Sequence, residues 1–92
     1  MPLMRGRMLG YNANRMAFEF TMLHERGVVD CEISSIGMDD LAGEKGVRAD
    51  EREAQFSLLR DTIERVASDM FDQNHMSAGE TIRIFSKHVR KR

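Results

Sequence analysis

Two stretches of alternating apolar and polar residues, joined by a short connection, dominate the pattern of this chain. The first spans 16–23 and the second spans 28–35, with His24-Glu25-Arg26-Gly27 between them. Alternation at period two is typical of strands that bury one face. A short connection that ends in glycine favours antiparallel pairing. The pattern therefore predicts a β-hairpin.

The register of this hairpin follows from its apolar side chains. One alignment gathers them on a single face, by pairing Met22 with Val29, Phe20 with Cys31 and Phe18 with Ile33. A slip by a single residue would split this apolar face. The favoured alignment also places Glu19 opposite Glu32. A further strand carrying Arg83 would offset this like-charge pair.

The strongest helical pattern lies between Asp50 and Gln73. At the helical angle of about 100° per residue, its apolar side chains fall within an arc of about 100°. These side chains are Phe56, Leu59, Ile63, Val66, Ala67 and Met70. Asp50 and Glu53 have the spacing of a capping box, which predicts that the helix begins at Asp50.

Two shorter elements flank this helix. Residues 35–43 predict one or two helical turns, capped by Ser34 or Ser35 and ended by Gly43. Residues 74–79 predict a turn. Residues 80–86 alternate in the manner of a strand, with Ile82 and Ile84 on the same face.

These elements predict a single α+β domain over residues 1–92. Its small antiparallel sheet has three or four strands, and the long helix packs on one face of that sheet. Residues 16–86 form the predicted core, and residues 1–15 are either an N-terminal arm or an edge strand. Residues 87–92 form a basic tail. The pattern leaves the strand order open.

Composition and charge narrow the class of protein. The chain of 92 residues is 41% hydrophobic and 32% charged, which is typical of a globular domain. It has one cysteine and shows neither an apolar leader nor a run of about 20 apolar residues that could span a membrane. A lone cysteine excludes an intrachain disulfide and favours the reducing cytoplasm. We therefore expect a cytoplasmic protein without a membrane partner.

The sequence contains no motif that predicts catalysis. Cys31 falls on the buried face of the hairpin, where a thiol is an inert apolar group. His24, His75 and His88 lack the spacing of metal ligands. The adjacent Asp39 and Asp40 are better explained as support for a helix N-terminus than as an acid–base pair. The interpretation is a non-enzymatic protein that needs no metal and no cofactor.

Four apolar residues lie outside the predicted core and indicate an interaction surface. By alternation, Leu23, Val28 and Phe85 point away from the side of the sheet that the helix covers. Leu58 falls outside the apolar arc of the helix and is a second, separate candidate. Exposed apolar patches mark protein interfaces. We expect a protein-interaction module, with a homodimer formed through the open sheet face.

The distribution of charge raises an alternative function. All 15 acidic residues lie between residues 17 and 82, and both ends of the chain are basic. The C-terminal cluster could contact a nucleic-acid backbone, and it comprises Arg83, Lys87, Arg90, Lys91 and Arg92. The acidic body would repel the same polyanion. Nucleic-acid binding is therefore the second hypothesis.

Several of these segments together resemble a family of bacterial proteins, domain of unknown function 1488. The resemblance runs from about residue 16 to residue 84, and its clearest segments are 18–21, 27–34, 54–56 and 60–64, followed by Ala67. It implies a cytoplasmic α+β protein with a small antiparallel sheet and helices. The family supplies no established activity and no catalytic residue. The basic tail is a departure from the family pattern.

Overall fold

The computed structural model describes residues 3–25, 27–73 and 80–90. Its elements follow one another along the chain as β1 (Met4–Asn12), β2 (Ala17–His24), β3 (Gly27–Ser34), α1 (Ser35–Ala42), α2 (Arg52–Gln73), β4 (Ile82–Ile84) and α3 (Ser86–Val89). A 3₁₀ turn, Ala49–Glu51, precedes α2. The predicted α+β class is confirmed. The predicted turn over residues 74–79 lies outside the described residues.

The four strands form one sheet in the order β1-β2-β3-β4. The first three strands are antiparallel, as predicted, but β4 runs parallel to β3. The sheet is therefore mixed, and the prediction of an antiparallel sheet is wrong for its last strand. The cause is α2, whose 22 residues extend about 33 Å. The helix carries the chain back along the sheet, so β4 runs in the same direction as β3 and pairs with its second half, from Cys31 to Ile33.

The predicted hairpin register is confirmed. Phe20 pairs with Cys31, and Phe18 pairs with Ile33. All four side chains are buried against α2. On the opposite face Glu19 pairs with Glu32, and β4 brings Arg83 opposite Glu32.

The helix boundaries follow local capping chemistry. The hydroxyl of Ser34 accepts a hydrogen bond from the backbone N–H of Gly37, and Gly43 ends α1 in the left-handed conformation, with φ of 68°. Both features agree with the predicted caps. The predicted capping box of Asp50 and Glu53 is not formed, because Glu51 accepts the hydrogen bond from the N–H of Arg48 instead.

The core lies between the sheet and α2. Phe56 of α2 stacks on Phe18 with ring centroids 4.4 Å apart, and its ring lies 4.9 Å from that of Phe20. Leu3 and Val89 are also buried in this cluster, so the core extends beyond the predicted limits of 16 and 86. None of the helices in the described ranges has the length and apolarity needed to cross a membrane.

Candidate functional site

The face of the sheet opposite α2 carries the candidate site. The helix covers the Phe18 side of the sheet, so the side chains of alternate residues project from the other face. We call this surface the open face. Its middle is charged, and its hairpin-loop end is apolar.

The middle of the open face is built around Glu32. Both carboxylate oxygens of Glu32 accept hydrogen bonds from Arg15, each at 3.0 Å. The guanidinium Nε of Arg83 lies 4.0 Å from the same carboxylate. The hydrogen bonds with Glu32 raise the pKa of Arg15. These two cations offset the like-charge pair of Glu19 and Glu32, which explains why an acidic side chain is tolerated with almost no exposure.

A shallow concavity of about 400 Å³ surrounds this ion cluster. Its lining mixes both signs of charge with one exposed apolar side chain and includes Leu9, Arg15, Glu19, Asp30, Glu32 and Arg83. Cys31 also lines it but is 2% exposed, and burial raises the pKa of its thiol to about 12. A thiol in that state is a poor nucleophile. The concavity offers paired charges and hydrogen-bonding groups without an activated nucleophile.

The hairpin-loop end of the open face carries a row of three exposed apolar side chains. Met4 of β1 pairs with Leu23 of β2, and Leu23 pairs with Val28 of β3. Their exposed fractions are 64%, 36% and 58% respectively. The row therefore crosses three neighbouring strands. Met4 was missed in the sequence because its place depends on the pairing of β1, whose register shifts twice.

The structure separates the four predicted interface residues into three places. Leu23 and Val28 lie side by side, as expected. Phe85 follows Ile84, which pairs with Ile33, so it lies at the opposite end of β3 from Val28, about 20 Å away along the strand. The prediction of one patch containing Leu23, Val28 and Phe85 is therefore wrong.

Leu58 belongs to another surface altogether. It is 88% exposed on the outer side of α2, whereas the inner side of that helix packs on the sheet. The whole thickness of the domain thus separates Leu58 from the open face.

The two adjacent carboxylates of α1 make unrelated contacts. Asp39 accepts hydrogen bonds from Arg52 at 2.7 Å and from Gln55 at 3.0 Å. Partial burial opposes its ionisation, but these donors outweigh that effect, and the pKa of Asp39 is lowered. Asp40 instead contacts Ser86 and Arg90, which joins α1 to α3. The two groups do not form an acid–base pair.

The two histidines within the described residues lie in different elements, His24 at the end of β2 and His88 in α3. The ring of His24 lies 5.1 Å from that of Phe71, and Nδ1 of His88 accepts a hydrogen bond from the N–H of Phe85. His75 lies outside the described residues. Within the described ranges, no group of three or more His, Cys, Asp or Glu side chains has the arrangement of a metal site.

The predicted nucleic-acid contacts are only partly described. Arg83 lies beside Glu32, and Arg90 forms an ion pair with Asp40 at 3.2 Å. Lys87 is exposed in α3, while Lys91 and Arg92 lie outside the described residues. The nearby carboxylates reduce the positive charge that Arg83 and Arg90 can offer to phosphate. Nucleic-acid binding stays a prediction.

Comparison with known proteins places this arrangement in a family. The fold is an α+β domain with a four-stranded mixed sheet. The family model described as "Protein of unknown function (DUF1488)" matches residues 6–84, and the chain belongs to this family. The resemblance noted in the sequence is therefore confirmed.

A solved structure supports the fold. It is the crystal structure of a protein of unknown function from the same family, from Shewanella loihica PV-4. The two chains are similar with a TM-score of 0.76 and 23% sequence identity, over 89% of this chain and 90% of that one. No curated protein matches this chain.

Proposed function

We propose that this protein is a non-enzymatic interaction module whose binding surface is the open face of the sheet. The row formed by Met4, Leu23 and Val28 is the observation that carries the proposal. Sheets in small domains ordinarily bury one face and present polar side chains on the other. Three apolar side chains aligned across three strands depart from that pattern, and such patches mark interaction sites.

The charged residues beside the row support binding rather than catalysis. Arg15 engages both oxygens of Glu32, which leaves that carboxylate without the freedom of a general base. The raised pKa of Cys31 removes the thiolate that a nucleophilic mechanism requires. An ordered ion cluster next to an apolar row resembles the polar rim of a protein interface.

Site-specific photo-crosslinking tests this function. A benzophenone amino acid replaces Val28 in one variant and Leu58 in a matched control, because both positions are exposed and apolar but lie on opposite sides of the domain. Irradiation in native lysate is expected to give a discrete adduct at position 28 and none at position 58. Equal labelling at both positions, or no adduct at position 28, would contradict the proposal.

A further inference from the structure

The charges that border the apolar row have a self-complementary arrangement. Arg5 and Met8 both face α2, since Arg5 bonds Glu64 and the sulfur of Met8 accepts a hydrogen bond from Ser57. The register shift between them therefore turns Gly6 and Arg7 together toward the open face. The backbone N–H of Arg7 bonds the hydroxyl of Thr21 at 2.9 Å.

A second row thus runs parallel to the apolar one. Thr21 pairs with Asp30 of β3, so the order across the strands is Arg7, Thr21 and Asp30. Arg7 and Asp30 are both exposed, and neither forms an ion pair within residues 3–25, 27–73 and 80–90. A cation on β1 and an anion on β3 therefore flank β2 on either side.

We infer that the partner of the open face is a second copy of this chain, related by a two-fold axis that runs along β2 in the plane between the two sheets. This inference rests on the proposed function and names its partner. Such an axis places β1 of each copy over β3 of the other. Leu23 then meets Leu23 of the second copy, and Met4 meets Val28. Each Arg7 faces an Asp30, which gives two symmetric ion pairs.

The alternative in-plane axis, perpendicular to the strands, is disfavoured by the same residues. Passing through the middle row of the face, which contains Thr21, that axis would set the apolar row against the row that contains Glu19 and Glu32. Carboxylates would then be buried against methyl groups. An axis along β2 instead matches apolar to apolar and cation to anion. Isologous interfaces require this kind of self-complementarity.

The size of the face predicts a weak dimer. Three strands about 4.8 Å apart and eight residues long present roughly 400 Å² of sheet. A standard stable interface buries about 800 Å² on each partner. The association should therefore depend on protein concentration.

Charge exchange tests the arrangement with a rescue. Sedimentation velocity over a concentration series gives the dissociation constant of the dimer for the native chain and its variants. Arg7→Asp or Asp30→Arg alone is expected to weaken the dimer about tenfold, because each change creates two like-charge contacts per dimer. The double variant Arg7→Asp/Asp30→Arg restores both ion pairs with reversed polarity and is expected to return the constant to within about threefold of the native value. Additive weakening in the double variant would overturn the arrangement.

A covalent test addresses the axis itself. Leu23→Cys should form a disulfide-linked dimer on oxidation, since the axis brings the two residues together. Leu58→Cys is the control and should form no disulfide-linked dimer, because its thiol lies far from the open face; the buried native Cys31 gives little background. A native chain that is monomeric at every concentration would overturn the inference. The proposed function would survive that result if the crosslinker at position 28 captured a protein of a different mass.

Discussion

The ion pair between α1 and α2 gives a prediction whose size follows from the structure. The guanidinium of Arg52 is buried, with 7% of its side chain exposed, whereas the side chain of Asp39 is 19% exposed. Arg52 also bonds Gln55, and its guanidinium carbon lies 5.8 Å from the ring centroid of Tyr11. Its Nε, however, has no hydrogen-bond partner among the described residues. Arg52 is therefore the more deeply buried and the less completely satisfied of the two charges.

Asp39→Asn should consequently cost more than the removal of Arg52. Neutralising Asp39 leaves a buried cation without its counter-ion, which we expect to destabilise the protein by about 3 kcal/mol. A domain of 92 residues has a free energy of unfolding of about 5–14 kcal/mol, so the loss is large. Arg52→Met keeps the aliphatic packing and leaves a carboxylate near solvent, at a cost of about 1 kcal/mol. The double variant should be more stable than Asp39→Asn alone.

Urea unfolding followed by circular dichroism measures these differences. Asp40→Asn is the matched control, because its partly exposed ion pair with Arg90 should contribute less than about 1 kcal/mol. Additive effects of Asp39→Asn and Arg52→Met in the double variant would refute the argument. So would an Arg52→Met variant that is less stable than Asp39→Asn.

The pH dependence of the same pair has a definite sign. The pKa of Asp39 is lowered from its ordinary value of 3.8, so the unfolded chain takes up the proton at a higher pH than the folded protein does. The stabilisation from the ionised Asp39 is therefore present above pH 3.8 and is lost as the pH falls through the lower pKa that Asp39 has in the folded protein. The difference in the free energy of unfolding between the native chain and Asp39→Asn should therefore shrink as the pH falls below 3.8. A difference that is unchanged in acid would contradict the assignment.

Three further predictions concern the core and the tail. Phe56→Ala should lower the free energy of unfolding by about 4 kcal/mol, and Phe56→Leu by less than half of that, because the leucine fills part of the cavity. Cys31 should react with an aromatic disulfide reagent only as fast as the protein opens, and equal rates in native and urea-unfolded protein would show that the thiol is accessible. Replacing Lys87, Lys91 and Arg92 by Gln leaves the buried Val89 unchanged and should not alter dimerisation. Binding of a DNA oligonucleotide by the native chain that falls steeply with salt, and that is lost in this variant, would support the nucleic-acid hypothesis instead.

The sequence contains enough local information for the hairpin but not for the sheet as a whole. Alternation of Phe18 and Phe20 against Cys31 and Ile33 determines the register, because any slip exposes an apolar side chain. Alternation of Ile82 and Ile84 identifies a buried face of β4 but carries no information on strand direction. The length of α2 was a signal that could have decided it, since a helix that crosses the sheet carries the chain back along it and the next strand then runs parallel to the previous one.

The charged contacts were less predictable than the core. Arg52 and Asp39 belong to different helices, and Arg5 and Glu64 are 59 residues apart. Nothing in a local pattern distinguishes such residues from solvated charges. Arg83 was the exception, because the predicted register already placed two glutamates opposite each other and required a cation nearby. Two of the three residues of the apolar row could be predicted, because Leu23 and Val28 belong to the hairpin, whose register follows from the sequence. Met4 could not, because it belongs to a strand with an irregular register.

The β1 edge of the sheet and the open face differ in how far they are protected against association with another molecule. An exposed edge strand can pair with another molecule through its free backbone groups. At β1 the guanidinium of Arg60 reaches from α2 to the carbonyl of Gly6, and two register shifts interrupt the ladder. At Gly6 a Cβ atom would lie 2.4 Å from the carbonyl oxygen of Thr21, so only glycine permits this close approach. The contact from Arg60 and the register shifts oppose pairing at the β1 edge, whereas no comparable protection covers Met4, Leu23 and Val28 within the described residues. This contrast supports the proposal that association uses the open face, with Arg7 and Asp30 setting its orientation.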